Sequence, residues 1–91
     1  MHFVVMYGKG PSWSETPETP DVVQGHIAHQ HAQLEAGKLV MGGPFLDEPG
    51  GMAIFKVESR DELDAILNGD PAVSAGFYAV EAKAWRIGSR G

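Results

Sequence analysis

Residues 2–8 read HFVVMYG, a run of β-branched and aromatic side chains that ends in glycine. This composition is typical of a β-strand, in which successive side chains point to opposite faces of the sheet. Phe3, Val5 and Tyr7 therefore share one face, and Val4 and Met6 share the other. Since both faces are apolar, we expect a central strand that is covered on each side.

A loop rich in proline, serine and threonine follows from Lys9 to Asp21. It is long for a small domain, and structureless loops of this length often serve as lids or binding loops. Trp13 in its middle is a large apolar side chain that needs a partner. We expect Trp13 to lie at a subunit interface, with a lid over a binding site as the alternative.

Residues 19–21 read TPD and encode a helix start, with a capping threonine, a proline suited to the first turn and a favourably placed acid. The helix is predicted to continue to about Ala36 and to end at Gly37. A narrow apolar stripe runs along it and is expected to face the core. Its members are Val23, Ile27 and Leu34.

Two further strands are predicted in the middle of the chain. Residues 39–46 read LVMGGPFL, which indicates a strand bent at Gly42-Gly43-Pro44. Gly50-Gly51 marks a turn into a strand from Met52 to Val57, so the two strands should form a hairpin.

The remainder of the chain predicts a helix and a last strand. Residues 59–62 read SRDE, the spacing of a capping box, and Leu63, Ile66 and Leu67 supply a core-facing set before the helix ends at Asn68-Gly69. Asp70-Pro71 opens a short helical piece that runs through Gly76. Phe77 to Ile87 reads as a long final strand.

The order strand, helix, strand, strand, helix, strand predicts an α+β fold of the ferredoxin-like βαββαβ type with an antiparallel sheet. We expect one domain that spans residues 1–91. Its two helices can cover only one face of the sheet, although both faces carry apolar side chains. The sequence therefore predicts a homodimer in which two sheets pack face to face.

Composition excludes several classes of function. A net charge of −5 and a pI near 5.2 oppose binding to nucleic acid or to anionic membranes, so neither is expected as a partner. The chain has no cysteine and therefore no disulfide, thiolate metal site or cysteine nucleophile. The apolar run from Phe3 to Tyr7 is too short for a signal peptide, and we expect a cytoplasmic protein.

His26 and Asp70 are the candidate catalytic residues. His26 lies at the edge of the apolar stripe, where a partly desolvated imidazole can titrate near neutral pH. Asp70 precedes Pro71, a position at which a carboxylate often caps exposed backbone amides. If the two side chains meet in a pocket, the carboxylate would fix the imidazole tautomer and make His26 a general base or acid. The residues alone leave both interpretations of Asp70 open.

Three histidines on the first helix raise the question of a metal site. His26, His29 and His31 do not share one helical face, and the HExxH pattern is absent. We expect no metal site, and we expect two of the three to be solvated.

A substrate pocket is expected near the candidate pair. Tyr7 and Tyr78 are aromatic residues that can line a pocket, although such residues often belong to a core or an interface. Gln30 can supply a hydrogen bond or lie half-covered at a dimer contact. Gly43 and Pro44 bring the backbone close to the pocket, but their segment lacks the context of a phosphate loop.

An ordered set of residues resembles the YCII-related (YciI-like) family of the dimeric α/β-barrel group, and the resemblance spans nearly the whole chain. His26 lies in the first helix and Gly37 ends it; Gly43-Pro44 occupies the next strand. The second half of the set is Asp70-Pro71, Val73, Ala75, Gly76 and Tyr78.

The resemblance implies a ferredoxin-like dimer with an active site built from the matched histidine and aspartate, here His26 and Asp70. Some relatives carry an arginine shortly before the histidine, where this chain has Val22 and Val23. Relatives often have an apolar residue one turn beyond the histidine, where this chain has Gln30. Substrate preference is therefore expected to differ.

The predicted function is proton transfer of the lyase or isomerase type on a small cyclic or aromatic compound, without an organic cofactor. The alternative is a non-catalytic dimer that binds a small metabolite or a protein partner. In that case His26 and Asp70 would form only a structural hydrogen bond.

Overall fold

A computed structural model describes residues 1–17 and 19–91. Position 18, which belongs to the predicted loop of residues 9–21, lies outside the described residues. In the described part, no helix combines the length and the apolar composition needed to cross a bilayer. The elements are β1 (His2–Lys9), α1 (Thr19–Glu35), β2 (Leu39–Pro44), β3 (Gly51–Lys56), α2 (Arg60–Asn68), α3 (Pro71–Ser74) and β4 (Tyr78–Trp85).

The four strands form one antiparallel sheet in the order β2-β3-β1-β4. The predicted ferredoxin-like α+β arrangement is confirmed, with β1 at the centre. Val5 pairs with Ala53 of β3 on one side and with Ala82 of β4 on the other. A central strand has a neighbour on each edge, so the apolar β1 sequence occupies the position that its composition predicts.

The core lies on one face of the sheet, between the strands and the helices. Alternate residues of β1 point into it, as the period of two in a strand requires. Their main helical partners come from α2, which was predicted to supply the core-facing set. The buried cluster comprises Phe3, Val5, Tyr7, Leu39, Ala53, Phe55, Val57, Leu63 and Leu67.

Helix α2 begins as the capping pattern predicts. The Ser59 hydroxyl accepts a hydrogen bond from the backbone amide of Glu62 at 3.1 Å. The Glu62 carboxylate accepts from the amide of Glu58 instead of that of Ser59. This cap fixes the start of the helix, and Leu63 follows directly as a fully buried residue.

The boundaries of two predicted strands are wrong. Strand β2 ends at Pro44 instead of continuing to Leu46, whose side chain is fully exposed. Strand β4 begins at Tyr78, because the amide of Phe77 bonds to the carbonyl of Ala72 and closes α3. It ends at Trp85 instead of Ile87.

The prediction that the α1 stripe faces the core is wrong. No residue of α1 is buried, and Ile27 and Leu34 are 39% and 52% exposed. The stripe lies over the edge strand β2, where Gly42 presents no side chain. A cavity lined by both elements separates the helix from this strand.

The second face of the sheet has no helix over it. Met6, Met41 and Met52 are exposed there, and Val4 and Ile54 lie between them. We call these five residues the open face. The side chains of these five residues are apolar, as the alternation in β1 and β3 predicts. On the same face of the sheet, β4 carries Glu81 opposite Met6 and Lys83 opposite Val4.

Trp13 packs within its own chain. Its ring lies 6.2 Å from that of Phe77, and the Lys9 ammonium sits 4.3 Å above it. Backbone hydrogen bonds from Gly10 and Ser12 to Phe77 and Gly76 hold the start of the loop against the corner between α3 and β4. Trp13 therefore has an apolar partner within its own chain, and its expected place at a subunit interface stays a prediction.

We predict that Gly50→Ala is strongly destabilising. Gly50 has φ of 101°, and a Cβ added there would lie 2.0 Å from the carbonyl oxygen of Tyr7. Backbone strain and this collision should lower the free energy of unfolding by about 3 kcal/mol. Urea denaturation measures the change. Gly88→Ala is the control, because a Cβ there meets no atom within 4 Å; equal midpoints for the two variants would contradict the prediction.

Candidate active site

A cavity of about 490 Å³ lies between α1 and the hairpin formed by β2 and β3. Its walls are mainly apolar, with polar side chains at the end nearest β4. A larger and more open groove at the end of the sheet is lined by Met1, Trp85 and Arg86, among others, but not by the candidate pair. Residues that line the α1 cavity include Val23, His26, Ile27, Gln30, Leu34 and Met52.

His26 and Asp70, 44 positions apart in sequence, meet at this cavity. Nδ1 of His26 lies 2.5 Å from Oδ2 of Asp70. The carboxylate is 1% exposed, whereas the imidazole is 16% exposed and forms part of the cavity wall. The ring therefore stands between the cavity and a buried acid, an arrangement suited to proton transfer.

Asp70 also caps the short helix α3. Its Oδ1 accepts a hydrogen bond of 2.9 Å from the amide of Ala72, while Oδ2 faces His26. Asp70 thus caps a helix and also contacts His26, and its part in catalysis stays a prediction. A carboxylate held at both oxygens cannot rotate freely, and this fixes the direction from which it meets the imidazole.

The contacts that bring α1 to α3 are short and specific. A Cβ built on Gly25 would lie 3.0 Å from Cγ of Pro71, so the helix backbone approaches the proline more closely than most side chains allow. Nε2 of His29 donates a hydrogen bond of 2.7 Å to the carbonyl of Ile66. His29 is therefore engaged by the end of α2 and is unsuited to bind a metal with His26.

Two neighbouring tyrosine rings contact the imidazole of His26. The ring centroids of Tyr7 and Tyr78 each lie 5.1 Å from that of His26, with interplanar angles of 68° and 70°. Such edge-to-face contacts are favourable and restrict rotation of the rings. The orientation of His26 is therefore set by Asp70 and by two aromatic rings whose centroids lie 6.0 Å from each other.

Both tyrosines remain neutral well into the alkaline range. Burial raises the pKa of Tyr7 far above its usual value, and the Asp70 carboxylate raises it further, against a smaller opposing effect of the Gln30 hydrogen bond. Burial and Asp70 also raise the pKa of Tyr78. At neutral pH the cavity therefore contains two phenol groups that can donate hydrogen bonds.

The side chain of Gln30 is only weakly bound. Its Nε2 donates to the Tyr7 hydroxyl over 3.5 Å, at the limit of a hydrogen bond. Its Oε1 is buried and has no hydrogen-bond partner among the described residues. An unpaired buried amide oxygen is costly, so this group is available to a ligand.

The structure brings the sequence-derived site residues together. Tyr7, Gln30, Gly43, Pro44 and Tyr78 all line the cavity that contains His26, and Asp70 lies directly behind that residue. Within residues 1–17 and 19–91, no group of three or more His, Asp or Glu side chains is placed to hold a metal ion.

Sequence reasoning missed part of the cavity lining. His31 lines the cavity while its side chain remains exposed, and Met41 and Met52 from the hairpin line it as well. The signal for these residues was the combination of a thin apolar stripe on α1 with glycines on the strand beneath it. An apolar stripe that lies above a glycine-rich stretch of strand indicates a cavity and not a packed core.

Comparisons with known proteins agree with this fold. A family model described as the YCII-related domain matches residues 1–86, and this confirms the resemblance. The uncharacterized protein YjpA of Bacillus subtilis is 33% identical over 76 residues, which cover 79% of this chain and 89% of YjpA. A solved structure of 5-chloro-2-hydroxyhydroquinone dehydrochlorinase (TftG) from Burkholderia phenoliruptrix, in complex with 2,5-dihydroxybenzoquinone, has a TM-score of 0.68 and 26% identity and covers 94% of each chain.

The raised tyrosine pKa values predict a loss of stability in alkali. Above about pH 10 the tyrosines of the unfolded chain release their protons while those of the folded protein retain them. The folded state then binds more protons, so the free energy of unfolding should fall as the pH rises further. Denaturant unfolding at several alkaline pH values measures the fall.

Tyr7→Phe should reduce this alkaline loss more than Tyr78→Phe, because Tyr7 is the more deeply buried of the two. Phenolate absorbance of the native protein gives an independent readout, since the chain contains two tyrosines and both line the cavity. If both tyrosines ionise at the midpoint found in denaturant, the assigned burial effect is wrong.

Proposed function

The chain belongs to the YCII-related family, and on that premise we propose that it is an enzyme that transfers protons on a small cyclic or aromatic compound. The observation that carries the proposal is the 2.5 Å hydrogen bond between His26 and Asp70 in the wall of a ligand-sized cavity. TftG, which is similar over most of its chain, is a dehydrochlorinase solved with a dihydroxybenzoquinone. This likeness supports a ring-shaped substrate.

His26 acts as the general base in this proposal. An ionised carboxylate can only accept hydrogen bonds, so Nδ1 of the neutral imidazole carries the proton that bonds to Asp70. The lone pair is then on Nε2, which is free to take a proton from the substrate. The buried charge of Asp70 stabilises the imidazolium that results, without itself becoming protonated.

Lyase and isomerase reactions follow from the same proton transfer. Once His26 has removed a proton, the electron pair of the broken bond forms a new double bond. In a lyase a leaving group departs with its own bonding pair, whereas in an isomerase the imidazolium returns the proton to another atom. Neither reaction gains or loses electrons overall, so the proposal requires no organic cofactor.

The burial of Asp70 favours this chemistry. Its carboxylate is 1% exposed, so water weakens its interaction with the imidazolium only slightly. Ile27, Leu34 and Met52 add apolar surface against which a ring can pack. Tyr7 and Tyr78 keep their hydroxyl protons and are suited to bind oxygen atoms of a substrate. We assign the base to His26 and the orienting acid to Asp70, with the two tyrosines as substrate-binding groups.

We further propose that the chain is a single domain that forms a homodimer through the open face. Several apolar side chains of that face are exposed, and burying them against a second copy would add stability to a chain of 91 residues. Met41 and Met52 belong to both the open face and the cavity lining. The second copy would therefore adjoin the mouth of the cavity.

We infer a cytoplasmic protein that acts on small molecules and not on nucleic acid or membranes. The absence of cysteine supports this location, because small exported domains commonly depend on disulfides. The net charge of −5 supports the choice of partner, since phosphate backbones and anionic lipids would repel it.

Asp70→Asn is the sharpest test of the catalytic pair. The amide oxygen can still cap α3, but its NH₂ group faces Nδ1 of His26 and forces the imidazole proton onto Nε2. Loss of the free lone pair should lower kcat/KM by about 10²- to 10⁴-fold with the fold retained. Turnover of a panel of hydroxylated and halogenated aromatic compounds measures kcat/KM. Circular dichroism shows whether the fold is retained.

His26→Ala should likewise abolish turnover, while Gln24→Ala, on the exposed side of α1, serves as the control. Loss of the fold in both site variants, or unchanged turnover in Asp70→Asn, would contradict the catalytic proposal. The non-catalytic alternative predicts ligand binding without turnover in the wild-type protein.

Met6→Glu tests the proposed dimer. Met6 lies opposite Met52 on one side and Glu81 on the other, so a new carboxylate would be desolvated beside an existing acid. We expect dimerisation to weaken at least about a hundredfold. Sedimentation over a dilution series measures it, with Leu46→Glu in the exposed hairpin loop as the control. A wild-type protein that sediments only as a monomer would refute the dimer.

A further inference from the structure

The amide of Gln30 and the imidazole of His31 are polar groups of the cavity that the proposed proton transfer does not use. Its Oε1 is buried without a hydrogen-bond partner, and its Nε2 makes only the 3.5 Å contact with Tyr7. An amide that leaves a buried oxygen unpaired carries a desolvation penalty. The cavity thus holds a hydrogen-bonding group whose capacity is largely unused.

The amide can turn toward the cavity at small cost. Its contact with the Tyr7 hydroxyl is at the limit of hydrogen-bonding distance, so breaking it sacrifices little. Gln30 lies one helical turn beyond His26 on α1, and both residues line the cavity. A ligand that reaches His26 therefore comes within the range of a turned Gln30 amide.

The charges around the cavity disfavour an anionic ligand. No lysine or arginine is among the described residues that line it, and the basic candidates are His26 and His31. The nearest permanent charge is the Asp70 carboxylate behind His26, which would repel an anion. A neutral ligand meets neither obstacle.

We propose that Gln30 is a specificity-determining residue that selects a neutral, hydroxyl-bearing ring by hydrogen-bonding one ligand hydroxyl with its side-chain amide. This inference rests on the proposed function in that the ligand occupies the same cavity. It adds the substrate class, a ring with an un-ionised hydroxyl group, and gives the unpaired amide a role.

A hydroxyl group suits the amide in either orientation. It can donate a proton to Oε1, and after a half-turn of the amide it can accept one from Nε2. A ketone oxygen can only accept and a methyl group can do neither. Of the common substituents on a small ring, the hydroxyl group is the one that relieves the unpaired amide in both orientations.

The experiment is a thermodynamic cycle that compares the binding of two ligands to the wild-type protein and to a Gln30 variant. Hydroquinone and p-xylene have similar ring shapes, and methyl groups replace the hydroxyls in the second. Their dissociation constants are measured by NMR titration on the wild-type protein and on Gln30→Met, which removes the amide and keeps the length of the side chain. Gln24→Met, the same replacement on the exposed side of α1, is the control.

We expect Gln30→Met to reduce the preference for hydroquinone over p-xylene by about fivefold to tenfold, the effect of one hydrogen bond between neutral groups. Gln24→Met should leave the preference unchanged. Para-hydroxybenzoate, which adds a negative charge to the same ring, should bind the wild-type protein more weakly than hydroquinone. If Gln30→Met does not fold, Gln30→Leu replaces it in the cycle.

An unchanged preference in the Gln30 variant, tighter binding of para-hydroxybenzoate, or failure of both neutral rings to perturb the resonances of His26 and Tyr7 would overturn the inference. Binding does not require proton transfer, so the cycle repeated on Asp70→Asn should give the same ratio. A catalytically inert protein that still shows the Gln30 effect would refute the proposed chemistry and leave the specificity role in place.

Discussion

The hydrogen bond between His26 and Asp70 is the interaction on which the candidate site depends. It joins α1, a helix with no buried residue, to α3 and therefore to the packed side of the molecule. Because apolar burial contributes little to the position of α1, that position relies on a few specific contacts: the His26 bond, the His29 bond to the end of α2, and the close approach of Gly25 to Pro71. The cavity is the space that remains between a helix held along one side and a strand that offers few side chains.

Much of the architecture follows from local patterns in the sequence. The alternation in β1 predicts both its central position and its two apolar faces, and the capping residues Ser59 and Glu62 predict the start of α2. These features depend on near neighbours in the chain, and so they can be deduced from spacing alone. The pairing of His26 with Asp70 was suggested by the family resemblance, but the 2.5 Å contact depends on how two helices meet, which spacing does not encode.

The distance between α1 and the sheet could not be predicted from local sequence patterns. An apolar stripe normally indicates the buried side of a helix, yet Ile27 and Leu34 face a cavity that the glycine-rich strand β2 lines from the other side. The relevant signal was divided between two distant segments, and neither was informative alone. The same division explains why Met52 was assigned only to a sheet face, although it borders the cavity as well.

Asp70 caps α3 with one oxygen and holds His26 with the other. The architecture of the corner between the second and third helices is thus tied to an acid that the proposed chemistry also needs. A descendant of this protein without the proposed activity would still be under selection to keep the aspartate, because the helix start depends on it, and to keep a partner for it at His26, because α1 is held there. Across related sequences, the two residues retained together are therefore evidence of a shared scaffold as well as of a shared reaction.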